Sequence, residues 1–390
     1  MAKILVIRFS ALGDVAMTVP VLCSFANSFP QHQVVVLSRP NMAALFTQVP
    51  SNVSFRGVDV KKEYAGIKGL FRLFSLLKHE QFDFVADLHG VLRSRFLSFC
   101  FKLSGVKVAC IDKERGKRKK LTSVENKVLT PQTTSFERYA LVFKQLGFSF
   151  PLSFHSIFGN EKGNIENIRS VVGYKEVHDK WIGVAPFAAH QGKVYPIELQ
   201  EQIVRSLSSR ENVKLFLFGG GKKEVAQLEQ WQQAYPRVVS VAGKLKMAEE
   251  LALMSHLDVM LAMDSGNMHL ASLVGTPVVS VWGATHPYAG FMGWGQSEKN
   301  AVQISLPCRP CSIFGNKPCI RGDYACLRQI TPNQIIEKGE SLLCLSTFLL
   351  FIATAYHGAV CSIRFSESVH RVCLVLQSHL HRVRIFHLHF

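Results

Sequence analysis

Apolar residues along the chain gather into short β-branched runs, and longer stretches with helical spacing lie between them. The first run covers residues 4–8 and leads through a Ser-Ala-Leu-Gly-Asp turn into an apolar stretch over 15–29 whose spacing predicts a helix. Runs at 34–37 and 84–88 predict buried strands, and 92–103 reads as an amphipathic helix. After a polar stretch at 160–180 the alternation restarts. Residues 181–185, 213–218, 238–241, 259–262 and 277–282 read as strands, and 197–208, 222–234, 248–255 and 267–274 as helices. Strands separated by helices imply parallel, doubly wound sheets. The expected fold class is therefore α/β, with two Rossmann-like domains over 1–158 and 178–340 facing each other across a cleft. A ligand belongs in such a crevice, at the carboxyl ends of the strands.

A chain of 390 residues that is 48% hydrophobic and 19% charged can bury the cores that two domains need. Its formal net charge of +17 favours an anionic partner, whether nucleic acid, an acidic membrane face or a phosphorylated substrate. No RNP aromatics, finger-type Cys/His spacing or basic zipper region accompany the charge, so nucleic acid is not an expected partner. The N-terminal run is too short for a signal peptide, which makes a cytoplasmic enzyme body the expectation. Without export, the ten cysteines read as thiols or metal ligands rather than disulfides. A basic run over 112–120 is either a solvated face or a patch turned to an acceptor or a membrane.

Residues 341–390 differ in character, with no Lys, Asp or Pro, one Glu (Glu367), and six of the fifteen His. This hydrophobic, His-rich tail reads as a non-native or altered-frame extension, as a packed tail, or as a membrane segment. Nothing about function rests on it.

The segment 261–287 carries the strongest chemistry. A strand ends at Asp264, Ser265 and Gly266 form a turn, and a helix begins with free N–H groups aimed into the cleft, an anion site. Gly266 permits close backbone approach, Ser265 offers a hydroxyl and His269 shares the face of Gly266. The alternative is that Asp264 and Ser265 only cap the helix. A second polar loop, ending at Pro287, lies at the same expected sheet edge, and two such loops suit a nucleoside diphosphate better than a cap does. The loop Gly219-Gly-Gly-Lys-Lys-Glu224 is weaker evidence, being neither a dinucleotide fingerprint nor a P-loop. Cys308, Cys311, Cys319 and Cys326 have spacing compatible with a structural zinc, with free or disulfide-forming thiols as the alternative.

The stretch Asp264-Ser-Gly-Asn-Met-His269-Leu-Ala-Ser-Leu-Val-Gly275-Thr-Pro277 resembles the signature of glycosyltransferase family nine, the bacterial lipopolysaccharide heptosyltransferases. Arg8-Phe-Ser-Ala-Leu-Gly-Asp14 looks like that family's acceptor-side loop, and 183–196 like its phosphate loop. The resemblance covers about residues 1–340 and implies a GT-B fold and an inverting, metal-independent transfer from a nucleotide sugar, ADP-heptose first among candidates. The acceptor it implies is an anionic, lipid-linked saccharide met in peripheral contact with the cytoplasmic face of the inner membrane. By the same resemblance Asp14 is the general base, with a simple N-cap Asp as the alternative. Lys193 would hold phosphate, Glu224 the ribose, and Leu245 would lie against the base. Ser10, Gly13, His89 and Arg93, with Arg95, would face the acceptor. No cofactor is expected for catalysis. Ala188 and Ala189 depart from the family, which commonly carries hydroxyls before the lysine; His190 or Gln191 are candidate substitutes. Two rival readings remain open: a nucleotide-sugar epimerase or hydrolase of the same fold, and a non-catalytic sugar-nucleotide binder.

Overall fold

Unbroken apolar runs such as Ile4-Leu-Val-Ile7 suit a strand covered on both faces, which is the situation in a parallel sheet. In the computed structural model, which describes residues 1–356 and side chains as far as residue 344, that run is β1 (Lys3–Ile7) at the centre of such a sheet. The chain continues through α1 (Leu12–Ala16), α2 (Thr18–Ser28), β2 (Gln33–Ser38), β3 (Val53–Gly57) and α3 (Gly66–Lys78). There follow β4 (Phe84–Asp87), α4 (Leu92–Leu103), β5 (Lys107–Cys110), α5 (Arg115–Leu121) and α6 (Ser135–Leu146). The five strands are parallel in the order β3-β2-β1-β4-β5. Register is set by apolar pairs such as Ile4 with Val34, and Ile7 lies beside Asp87 at the carboxyl edge.

A second parallel sheet follows the short α7 (Arg169–Val172). Its elements are β6 (Lys180–Ala185), α8 (Ile197–Ser208), β7 (Val213–Leu217), α9 (Lys222–Ala234), β8 (Val238–Ser240), α10 (Met247–His256) and β9 (Val259–Met263). They continue with α11 (Gly266–Leu273), β10 (Val278–Val281), β11 (Ala301–Val302), α12 (Ala325–Arg328) and α13 (Pro332–Tyr356). The strand order is β11-β10-β9-β6-β7-β8.

Local chemistry explains individual boundaries. At the start of α6, the Thr134 hydroxyl accepts from the Glu137 N–H at 3.2 Å while the Glu137 carboxylate accepts from the Thr134 N–H at 2.7 Å. That reciprocal pair satisfies two otherwise orphaned donors. Gly147, at φ 107°, ends the same helix in the left-handed region. The helix expected over 15–29 is two helices, α1 and α2, meeting at Met17.

Three buried clusters hold the sheets. One lies beneath α3 and α4 and includes Leu73, Leu77, Leu97 and Phe101. Another covers the outer face of the second sheet, where Val204, Leu228 and Ile336 pack. The largest runs from the first sheet into the second, joining Val15, Val19 and Tyr139 to Met268, Leu270 and Trp282. It makes residues 1–343 one compact unit. Backbone bonds tie the halves as well: the Gln132 N–H donates to the Tyr288 carbonyl at 2.8 Å and the Ser135 N–H to Gly290 at 3.0 Å. The atypical tail, 341–390, falls mostly outside the described residues. Among those described, no helix is long and apolar enough to cross a membrane.

Candidate active site

In each sheet the chain reverses its direction of winding between two neighbouring strands, β1 and β4 in the first and β6 and β9 in the second. Loops leaving such strands diverge and open a crevice at their carboxyl ends. Residues 8–14 follow β1, His89 follows β4, Lys193 follows β6 and Asp264 to His269 follow β9. The two crevices face each other at close quarters. A Cβ placed on Gly13 would lie 2.5 Å from His269 Cδ2, and one on Gly266 would lie 3.1 Å from Leu12. Gly13 is therefore not a turn residue, as its sequence context suggested. It sits inside α1, where the lack of a side chain lets α1 and α11 touch.

On the first side, Asp14 occupies the third position of α1, and its carboxylate accepts from the Ala11 N–H at 3.2 Å. The same oxygen lies 2.7 Å from Arg8 Nη2. Arg8 is itself held by donating to the Leu88 carbonyl at 2.6 Å. Burial pushes the Asp14 carboxyl up, but the Arg8 charge, the Ala11 N–H and His269 outweigh it and hold the pKa below the ordinary value. Asp14 is thus ionised at neutral pH and partly exposed, with its side chain 29% accessible. It combines the capping role with an ion pair to Arg8.

Asp14 opens into a cavity of about 210 Å³ also lined by Arg8, Ser10, His89, Lys113, Arg118 and Arg138. The cations dominate, and three of their nitrogens, Arg8 Nε, Arg118 Nε and Arg138 Nη1, are buried without a hydrogen-bond partner. Burial and then Arg138 push Arg118 down to about 10, and its guanidinium lies 5.0 Å from the Phe291 ring. Burial, Arg8 and Lys113 push His89 down to about 3, so that ring is neutral. Orphaned guanidinium donors in a cavity of this sign suit a carboxylate or phosphate group. The wall formed by Phe291 and Phe314 comes from the second half of the chain, so the cavity needs both halves.

On the other side, Lys193 Nζ lies 2.9 Å from the Asp264 carboxylate, which is buried and also accepts from the Thr285 hydroxyl at 2.8 Å. Asp264 therefore positions the lysine and ties its loop to the Thr285 loop. Gly192 reinforces the joint, its carbonyl accepting from the Ala284 N–H at 2.8 Å. Beside this pair, α11 starts with Gly266 and presents free N–H groups. Two further polar atoms there, Ser265 Oγ and His269 Nδ1, are buried with no partner. Burial pushes His269 down to about 4, leaving a neutral ring able to donate from one nitrogen. A lysine, a helix N-terminus and two unsatisfied polar atoms together have the chemistry to hold an anion such as a diphosphate.

Other residues singled out in the sequence lie elsewhere. Glu224 accepts from the Gly220 N–H at 2.8 Å and so organises its own glycine loop after β7. Leu245 packs part-buried against the large core cluster. Arg93 and Arg95 are exposed on α4 and do not line the Asp14 cavity. Cys308, Cys311, Cys319 and Cys326 are free thiols near enough that their charges act on one another. Burial and then Cys311 raise Cys326 to about 11. Among the described residues no three His, Cys, Asp or Glu converge as a metal-binding group.

Sequence reasoning passed over Arg8, Arg138, Tyr139 and Thr285 as individual site residues. The basic run 112–120 divides: Lys113 and Arg118 turn into the cavity, while Arg115, Lys117, Lys119 and Lys120 face solvent. A charge inside an otherwise apolar helix face, as with Arg138 beside Tyr139 and Val142, is the signal that was there to find.

A family model described as "Glycosyltransferase family 9 (heptosyltransferase)" matches residues 70–324. The chain is 21% identical to lipopolysaccharide heptosyltransferase 3 of Escherichia coli over 70% of its own length and 81% of that protein. It superposes on the crystal structure of a family 9 glycosyl transferase from Veillonella parvula with a TM-score of 0.67 at 20% identity, covering 88% of this chain and 97% of that one. The E. coli heptosyltransferase WaaC solved with ADP gives 0.61 at 18% identity, covering 87% and 99%. The paired parallel sheets are thus those of a GT-B fold.

Proposed function

The chain belongs to glycosyltransferase family 9, the heptosyltransferase family, and is a sugar transferase; from that premise we propose that it moves a heptose from an ADP-sugar onto an anionic, lipid-linked core saccharide with inversion at the anomeric carbon. The observation that carries this reading is the approach of Gly13 to His269, which sets the Asp14 carboxylate across a narrow gap from the diphosphate cradle. Asp14 takes the proton of the acceptor hydroxyl as its oxygen attacks the anomeric carbon. The bond from that carbon to the diphosphate breaks on the opposite face, and the leaving group departs as ADP. Negative charge developing on the diphosphate is met by the α11 N–H groups, Ser265, His269 and Lys193, so transfer proceeds without a divalent metal.

Support for ADP comes from the E. coli heptosyltransferases WaaC, solved with ADP and with an ADP-2-deoxy-2-fluoro heptose. Support for an anionic acceptor comes from the guanidinium nitrogens around Asp14 that are buried without a hydrogen-bond partner. A cytoplasmic location, peripheral to the inner membrane, follows from where such a lipid-linked acceptor and a nucleotide sugar meet. The testing experiment is a donor screen of ADP-heptose, other ADP-sugars and UDP-sugars with extracted lipid-linked core, in the presence of EDTA. ADP release that requires acceptor and survives EDTA supports the reading. Free sugar without acceptor would point instead to a hydrolase, and binding without turnover to a sensor.

A further inference from the structure

Helices α3 and α4 lie side by side on the first sheet, with Leu70, Leu73, Leu77, Leu97 and Phe101 buried beneath them. Their outward sides are apolar too. On α3, Ile67 is 66% and Phe71 52% exposed; on α4, Leu92 is 89%, Phe99 59% and Leu103 73% exposed. Phe71 meets the part-buried Phe96 edge to face, ring centroids 4.9 Å apart, which joins the helices at their outer seam. Ile67 and Phe71 stand four residues apart, and Leu92, Phe96, Phe99 and Leu103 follow one another at steps of four, three and four. Each set is one stripe of a helix, and the contact of Phe71 with Phe96 makes them a single ridge. Isolated exposed apolar residues are ordinary on a protein surface, whereas a contiguous set rimmed by one charge marks an interface.

The rim has a single sign. Lys68, Arg72 and Lys78 lie on α3 and Arg93, Arg95 and Lys102 on α4, all exposed, and neither helix contains an Asp or Glu. An apolar ridge between rows of cations matches a bilayer with anionic headgroups, where rings and leucines enter the boundary with the acyl chains and lysines and arginines meet phosphates. Its place in the fold gives this contact a use. Leu92 opens α4 just three residues after His89, which lines the Asp14 cavity.

We propose that the α3–α4 face seats the enzyme on an anionic lipid surface, beside the cavity that receives the acceptor. The usefulness of this contact rests on the lipid-linked acceptor proposed above; the contact itself does not. The full chain is sedimented with vesicles of phosphatidylcholine, with and without phosphatidylglycerol, across a salt series. Wild type is expected to bind the phosphatidylglycerol vesicles, to lose binding as salt rises, and to bind pure phosphatidylcholine weakly. Phe71→Ser/Leu92→Ser/Phe99→Ser should lower partitioning at least tenfold, and Lys68→Gln/Lys102→Gln should lower it on anionic vesicles alone. Both variants should keep the wild-type Tm and wild-type transfer to a de-acylated, water-soluble core saccharide, while transfer to acceptor embedded in vesicles falls. The proposal is overturned if wild type ignores anionic vesicles, if it binds neutral vesicles equally well, or if the triple variant binds like wild type. It is also overturned if the face proves to join two copies of the chain, seen as a dimer that the triple variant dissociates and no vesicle binding. Absence of transfer to the soluble saccharide by wild type would sink the proposed function and leave the vesicle result standing.

Discussion

The Arg8 guanidinium lies 2.7 Å from the Asp14 carboxylate, so the proposed base is held in an ion pair before any acceptor arrives. Such a partner keeps the carboxylate charged and aimed, and it also lowers its basicity. Replacing Arg8 with Met removes the main influence that depresses Asp14, and the acid limb of kcat/KM should move up by about 1 pH unit. Arg8→Lys should move it less. A pH–rate profile of both variants checks this, with Tm as a control for the lost bond to Leu88; an unmoved limb would mean that Asp14 does not set it.

The pair of Lys193 with Asp264 makes a second prediction, because Asp264 is buried and its carboxylate otherwise accepts from the Thr285 hydroxyl. Lys193→Met should cut kcat by about 10²–10³-fold through lost charge at the leaving group. It should also destabilise the fold by about 3 kcal/mol, because a buried carboxylate loses its counter-ion. Lys193→Met/Asp264→Asn should recover much of the stability and none of the activity. Thermal melts beside ADP-release assays separate the two effects.

Gly13→Ala tests the contact between the halves. The added methyl would sit 2.5 Å from His269 Cδ2, so either the buried imidazole must turn or α1 must part from α11. Turnover should fall about 10²-fold, since displacement of about 1 Å at a reacting centre has that effect. Gly116→Ala, on α5 with open space around it, should leave both rate and Tm near wild type.

Acid should destabilise the fold in a particular range. His89, His269 and His286 are buried with pKa values pushed to about 3, 4 and 4, burial being the largest cause for each. In the unfolded chain each titrates near 6.5, so below that value the unfolded state binds more protons and stability falls with pH until the folded values are reached. Between pH 7 and pH 5 the loss is about 2 kcal/mol for each ring. Denaturant unfolding at the two pH values measures it, and His286→Gln should remove one share of the dependence.

Much of this arrangement could be read from the chain alone, for physical reasons that also explain what could not. The central strands β1, β2, β6 and β9 announce themselves because burial on both faces demands unbroken apolar runs. Strands β3 and β5 lie at sheet edges, are short and carry Ser54, Arg56 and Lys107, so periodicity did not mark them. Asp264, Ser265, Gly266 and His269 were legible because the strand-to-helix junction compresses their chemistry into six consecutive residues. The cation cavity was not, because Arg8, Lys113, Arg118 and Arg138 come from separate elements and converge only through the order of the sheet. Arg138 in particular reads as an ordinary helix charge until Glu114, 3.8 Å away, and Asp14 are placed beside it. In the sequence the role of Asp264 was open between an anion site and a helix cap. The pairing with Lys193 adds a third use, holding that lysine in place.

Asp14→Asn tests the central claim most directly, since it keeps the shape of the side chain and removes its capacity to take a proton. With ADP-heptose and core saccharide at saturation, kcat should fall by about 10³-fold or more. The dissociation constant for ADP should stay within a few-fold, because the diphosphate cradle lies on the other half of the cleft. Turnover by Asp14→Asn at the wild-type rate would contradict the account.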